Sequence, residues 1–435
     1  MKPKYLFTLL FCYTCCTGFA PVRAEGNRTY RFQLLGGGKV IARDGPKTTF
    51  PSVIRIPDWV KADDRVHPGA VYYLYYSDHH GDFIRMSWAA SLHGPWHEYN
   101  LGTRVNPYSA RGVFDFRADR IRNTYGHIAA PDVHVDEVRR QIVMFYHGQN
   151  QPEEVTPNGT VALQHHKSFV ATSRNGLNFQ DPLSGGGQKG HGPITVTHDG
   201  VTRDLCLTGP YQRSFRCRGH WYALTKRGII FRSRNARNPW EPNPENPFDL
   251  AWIQETTPNR LWTENASAVQ SSYMSPAATF LASDEFARHP NNPNPGIRID
   301  SSNERINHMS VTLLDAEHLE IFFYVKEDPD DRYNSLYRLV YDLSDENYDN
   351  WDVQRDENGL VCFEVVITPE EIVQAVSEFH PEPNALVHPD PVSLGSTGVF
   401  IDDDHRKYLF FTYVSHEFRG REGEGQLTGI ELLCD

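Results

Sequence analysis

Several features are scarce or missing, and each gap excludes something. Positive charge is in deficit: 43 lysines and arginines stand against 55 aspartates and glutamates, for a formal net charge of −12. A chain with no basic field cannot attract phosphates, so a generic nucleic-acid binder is excluded. Nothing is low-complexity, so no stretch is barred from a packed core on composition alone. Beyond the first two dozen residues no apolar run is long enough to cross a bilayer as a helix.

Cysteine is sparse, and three of the seven (Cys12, Cys15 and Cys16) fall in the N-terminal apolar stretch. There Lys2 and Lys4 precede "YLFTLLFCYTCCTGFA", and "VRA" at Val22 to Ala24 offers a small residue for cleavage. The stretch reads as a secretory signal peptide over residues 1–24, because the run is short for an anchor and is interrupted by Thr and Gly. Residues 25–435 are then one domain, exported to the extracellular space or periplasm, more acidic still once Lys2, Lys4 and Arg23 are gone. In that setting Cys206, Cys217, Cys362 and Cys434 are free to form two disulfides, and spacing permits three pairings. The expected pairing is Cys206 with Cys217 and Cys362 with Cys434. A metal held by Cys217 and His220 has too few ligands to be favoured. Asn27, Asn158 and Asn265 open N-x-S/T sequons, relevant where the source glycosylates.

Aromatics make up 12% of the chain, with 29 prolines and 32 glycines, the composition of short strands and tight turns. One unit recurs five times, roughly every 80 to 100 residues. Each copy opens with a strand near a Pro or a polar pair: "FPSVIRI", "APDVHVD", "GPYQRSFR", "NHMSVTLL" and "STGVFIDD". An aromatic strand follows: "VYYLYYSD", "QIVMFYHG", "HWYALTKR", "LEIFFYVK" and "KYLFFTYV". A third strand completes the legible part, as in "DFIRMSWAAS" and "SLYRLVYDLS", and the fourth is hard to see. Alternating and aromatic-rich runs of this length are strands, not helices. Such an array closes best as an all-β propeller of five blades, in which each small sheet packs on its neighbours and the ring removes long free edges. Residues 25–49 are expected to supply a strand that closes the ring, and "TPEEIVQAVSEF" (368–379) a single short helix. A seven-bladed ring fits the length, but needs two further blades in 245–305 and 355–393, which are rich in Pro, Asn and charge.

The innermost strands of such a ring line a central channel. Asp132, His134 and Asp136 share one strand face by alternation, His127 precedes that strand, and His147 ends its neighbour. "APDVH" followed by "IVMFYHG", with "FPSVIRIPDWV" and "YYLYYSDHHGDFIRMSWAASLHGPW" ahead of it, resembles the five-bladed glycosidases of glycoside hydrolase family 43 and the wider arabinanase, levansucrase and invertase group. The resemblance implies a poly- or oligosaccharide substrate, a monomer, no membrane and no required cofactor. It also implies three carboxylates around the channel, since hydrolysis needs one acid for the leaving oxygen and one group to direct attack on the other face. The chain departs from that pattern. Phe50-Pro51-Ser52 stands where the first acid belongs, Thr208-Gly209-Pro210 where the third belongs, and Asp132 alone matches. Asp78, Asp204, Glu264 and Glu304 are loop candidates for the missing groups. A calcium ion in the channel is admissible, though no ligand set announces it.

The channel mouth offers His127, His147, Tyr211, Arg213 and His308, with Arg227 ending a strand. Those residues also suit β-elimination beside a uronic acid, in which a cation neutralises the carboxylate while His and Tyr move protons. In this they are similar to propeller lyases of the ulvan and rhamnosyl-glucuronate type. The expected catalytic set is therefore Asp132, His127, His147 and Tyr211, with Arg213, Arg227, His308 and His134 binding substrate. A structural role stands beside these: His134 as a hydrogen-bond partner, Asp132 as a turn cap or the partner of an Arg in the next blade, and Arg213 in an inter-blade salt bridge. Trp88, Trp96 and Trp240 read as packing residues. A third reading is a sugar-binding propeller that kept the pocket and lost its acids.

Overall fold

The computed structural model describes residues 28–37, 41, 49–77, 83–99, 112–115, 128–149, 166–179, 195–198, 201–204, 213–224, 230–233, 252–253, 275–299, 306–325, 335–379, 391–415 and 426–434. The fold is mainly β, with a propeller-like arrangement of small sheets, antiparallel but for the parallel pairing of Thr195–His198 with Trp252–Ile253. Four sheets have four or more strands and form blades; a further sheet, Ile128–Asp136, Gln141–Gln149 and His166–Ser173, has three among the described residues. Each sheet begins with one of the strands opening the sequence units, here labelled β1 (Thr49–Arg55), β2 (Ile128–Asp136), β3 (Arg213–Cys217), β4 (Ile306–Leu313) and β5 (Pro391–Ile401). These five are innermost: β1 packs on β2 and β5, β4 packs on β3 and β5, and side-chain bonds join β2 to β3.

The aromatic strands follow from this ring. A sheet wedged between two others is buried on both faces, so its middle strand reads as a continuous apolar run. In Tyr72–Ser77, Tyr73 and Tyr75 enter a core shared with the sheet of β2, while Tyr72, Leu74 and Tyr76 enter one shared with the sheet of β5. In His318–Val325, Leu319, Ile321 and Phe323 face the sheet of β3 and Phe322 faces that of β5. Each fully buried ring is worth about 1.5–3 kcal/mol on transfer, so the interfaces between sheets hold the molecule together. Trp96 edges onto Phe410 at 5.9 Å, and Trp88 stacks between His67 and His97, so both pack as expected. Trp240 lies outside the described residues.

The expected closing strand is present: Tyr30–Leu34 pairs antiparallel with Gln426–Cys434, Tyr30 opposite Cys434, as the outermost strand of the last sheet. The expected helix forms at Pro369–Phe379, with a Thr368 and Glu371 capping pair at its start. It is not single, because Pro276–Leu281 and Asp284–Ala287 are helical too, each capped by a serine, Ser275 and Ser283. They occupy the stretch where a seven-bladed ring would need another blade, and Phe363–Ile367 belongs to the sheet of β4.

The disulfides are corrected. Cys217, Cys362 and Cys434 are free. Cys217 is buried beside Phe215 and Tyr222 and donates to the Ala316 carbonyl at 3.6 Å. Cys362 is held in place by backbone bonds with Gln354 and Val340, and Cys434 sits exposed at the end of the last strand. Cys206, the expected partner of Cys217, and the proposed signal peptide lie outside the described residues.

Candidate functional site

Four of the five inner strands share an irregularity. Register shifts against the neighbouring strand fall between Thr49 and Ser52, Ala129 and Asp132, Asn307 and Ser310, and Gly395 and Gly398. Three of these bulges carry a positive φ on a residue other than glycine: Phe50 at 60°, Ala130 at 54° and Ser396 at 37°. A bulge re-aims the backbone, and here it serves the axis. Arg213, 7% exposed, donates to three bulge carbonyls: Nη1 to Pro131 O at 2.7 Å, Nε to Met309 O at 3.1 Å and Nη2 to Thr397 O at 3.4 Å. One guanidinium thus ties β3 to β2, β4 and β5. Gly398 approaches the fourth bulge carbonyl so closely that a Cβ would sit 2.1 Å from Pro51 O. Gly398 must therefore remain glycine for β5 to meet β1.

The residue after each bulge stitches the ring. Ser52 Oγ accepts from Val133 N at 2.9 Å, joining β1 to β2. Asp132 Oδ2 accepts from Ser214 N at 2.9 Å, joining β2 to β3. Ser310 Oγ donates to Thr397 Oγ1 at 3.0 Å, joining β4 to β5. Ser52 and Asp132 are equivalent residues, following Pro51 and Pro131 in "FPSV" and "APDV". That shared placement was readable from the repeat, whereas the convergence on Arg213 was not.

Asp132 also accepts from His134 Nε2 at 2.9 Å and lies 3.7 Å from Arg213 Nη1, an ion pair rather than a hydrogen bond. Burial alone would raise its pKa. The His134 charge and hydrogen bond, then Arg213 and the Ser214 N–H, outweigh burial and hold the carboxyl below the usual carboxylate range. Burial pulls the Arg213 pKa down, with Asp132 opposing, and a guanidinium stays protonated at neutral pH regardless.

Around this pair the inner strands enclose a cavity of about 400 Å³. Its lining runs from Ser52, Asp132, His134, Arg213 and Arg216 on β1 to β3 across to Phe400 on β5. Asp132 is the single carboxylate among the described lining residues. His134 keeps 20% of its side chain exposed, enough to meet a ligand while Asp132 orients its ring. An imidazole oriented by a buried carboxylate can move a proton or hold a polar group.

The structure brings together Asp132, His134 and Arg213 from the expected set. His147 stands at another level, buried opposite Ala129, whereas His134 lies opposite Val143. His308 falls in the β4 bulge, but its side chain lies outside the described residues, as do His127, Tyr211 and Arg227. Asp136 caps the turn after β2, accepting from Val138 N and Arg139 N at 3.1 Å each. Of the candidate loop acids, Asp204 ends Val201–Asp204, the strand at the edge of its sheet opposite β3, away from the axis. Asp78, Glu264 and Glu304 lie outside the described residues. Phe50, in the stretch where the family resemblance implies the first acid, makes an apolar contact with Ala129 and Ala130. No group of three metal-ligating side chains occurs among the described residues, and no helix among them is long and apolar enough to cross a membrane.

No protein-family model matches the chain. An uncharacterized protein, R118, of Acanthamoeba polyphaga mimivirus is 30% identical over 198 residues, 44% of this chain and 46% of that protein. The chain thus aligns with under half of the curated relative it matches. Among solved structures, a GH43 protein, BlXynB, of Bacillus licheniformis is 11% identical with a TM-score of 0.42, over 92% of this chain and 54% of that one. An endo-1,5-alpha-L-arabinanase of Thermotoga petrophila RKU-1 is 12% identical with a TM-score of 0.41, over 91% and 73%. A Dyadobacter fermentans protein of unknown function is 9% identical with a TM-score of 0.42, over 94% of this chain and all of that one. At such values function has to be argued from this chain's own residues.

Proposed function

We propose that this chain is a secreted, five-bladed, carbohydrate-active propeller of the family 43 glycosidase type, working as a monomer on a poly- or oligosaccharide. The observation that carries the reading is the convergence of all five inner strands on one axial cavity built around Asp132, His134 and Arg213. Hydroxyl, imidazole and guanidinium groups beside an aromatic wall suit a ligand with many hydroxyls and apolar C–H faces. The Asp132 carboxyl is held below the usual carboxylate range, so at neutral pH its part is to charge and orient neighbouring groups rather than to give up a proton. Proton transfer then falls to His134, whose ring Asp132 orients and which keeps a fifth of its side chain exposed at the cavity wall.

A binding-only propeller is the second reading, favoured by the apolar Phe50, packed on Ala129 and Ala130, in the stretch where the first acid is implied. The lyase reading is weaker at Arg213, because its buried guanidinium is paired with Asp132 and donates to three carbonyls. One assay separates the three. The protein is incubated with plant and algal polysaccharides while reducing ends and unsaturated uronate absorbance are followed. Reducing ends alone are expected. Both signals would establish a lyase, and binding with neither a non-catalytic propeller. Asp132→Asn is expected to abolish turnover with the β circular-dichroism spectrum retained, and full activity in that variant would remove Asp132 from the mechanism.

A further inference from the structure

The axial cavity has two unlike walls, and their difference selects a ligand by charge. Asp132 and Arg213 neutralise each other at its base. What then faces the space from β2 and β3 is His134, a fifth of its side chain exposed, and Arg216, which is exposed and pairs with none of the described residues. No described lining residue supplies a second carboxylate to offset Arg216. Its guanidinium is an unoffset positive charge at the wall within a chain of net charge −12, which marks it as a recognition feature rather than a reflection of overall composition. From β5, on the far side, come Phe400, half-buried, and Ile401, 39% exposed.

We infer that the cavity holds a sugar through an acidic substituent, a uronate carboxylate or a sulfate ester, with the ring's C–H face toward Phe400. A planar guanidinium offers two parallel donors to either anion. A neutral sugar would leave Arg216 facing its hydroxyls without charge to match, and a cationic one would meet repulsion. The inference rests on the carbohydrate reading and narrows it to acidic glycans.

The test is isothermal titration of the full chain with D-glucuronate, D-glucose 6-sulfate and D-glucose, on wild type and on Arg216→Gln. Arg216 is exposed, so the variant is expected to keep the wild-type melting temperature. At least one acidic sugar binds tenfold or more tightly than glucose, and the arm that binds identifies carboxylate or sulfate. Arg216→Gln lowers that affinity at least tenfold, the size expected for one lost charge-assisted hydrogen bond, and leaves glucose binding unchanged. Glucose bound as tightly as both acids, or an Arg216→Gln variant that binds them unchanged, overturns the inference while the carbohydrate reading stands. If none of the three sugars binds, both fall.

Discussion

Asp132 and Arg213 are a buried pair whose energetics show what each contributes. A depressed carboxylate pKa means that the stabilisation is fully present above the ordinary aspartate value of about 3.9 and fades as pH falls through the lower folded-state value. Replacing Asp132 with Asn keeps an acceptor for Ser214 N but leaves the Arg213 charge unmatched. Losing one partner of a buried pair costs about 3–5 kcal/mol. Urea unfolding at pH 7 is therefore expected to show a gap of that order between wild type and Asp132→Asn, closing as the buffer is taken below about pH 4. A gap independent of pH would mean that the carboxylate is not ionised in the native state. Asp132 and Arg213 were each legible as candidates but their meeting was not: Pro131, Arg213, Met309 and Thr397 come from four units, and no local pattern announces a positive φ at Phe50 or Ala130.

At the scale of elements, the closing strand Tyr30–Leu34 is anchored by charge as well as by its ladder. Tyr30 Oη donates to Glu320 Oε1 at 2.6 Å, and Lys407 Nζ donates both to that hydroxyl, at 2.6 Å, and to Glu320. Arg338 joins Glu320 to Glu364, and Glu364 accepts from Thr29 N at 2.6 Å. Burial, then the Glu320 charge, push the Tyr30 phenol well above its usual range, so it remains a donor. Tyr30→Phe leaves a fully buried carboxylate short of one donor, and a loss of about 1–3 kcal/mol is expected in denaturant unfolding. An unchanged midpoint would show that Lys407 and Arg338 satisfy Glu320 alone. The strand itself was legible because residues before the first unit had to fill the last sheet. The hairpin of Thr195–His198 and Val201–Asp204 was not, since four-residue polar strands carry almost no periodicity. The helices at Pro276–Leu281 and Asp284–Ala287 were hidden for a similar reason: one turn or two is too short for an amphipathic pattern to emerge.

At the scale of the whole molecule, the repeat made the architecture readable because every sheet solves the same packing problem with the same aromatic strand. The site was only half readable, because the repeat hides which copies have diverged: Ser52 and Asp132 occupy one equivalent place with different charge. A chain beginning at Leu35 would expose the outer edge of Gln426–Cys434, which now pairs with Tyr30–Leu34. An unpaired edge is a template for another chain. Light scattering is expected to find that truncated protein self-associated, and a monomer with the parent's melting temperature would show that the strand is dispensable.

The pairing of Tyr30 with Cys434 has a further consequence for how the protein is made. On the ribosome, Tyr30–Leu34 must wait until Gln426–Cys434 has been made before it finds its mate, and the Arg213 keystone cannot be seated until Thr397 has left the exit tunnel. Contacts so remote in sequence are slow to form, so the ring stays open until both late strands have been made.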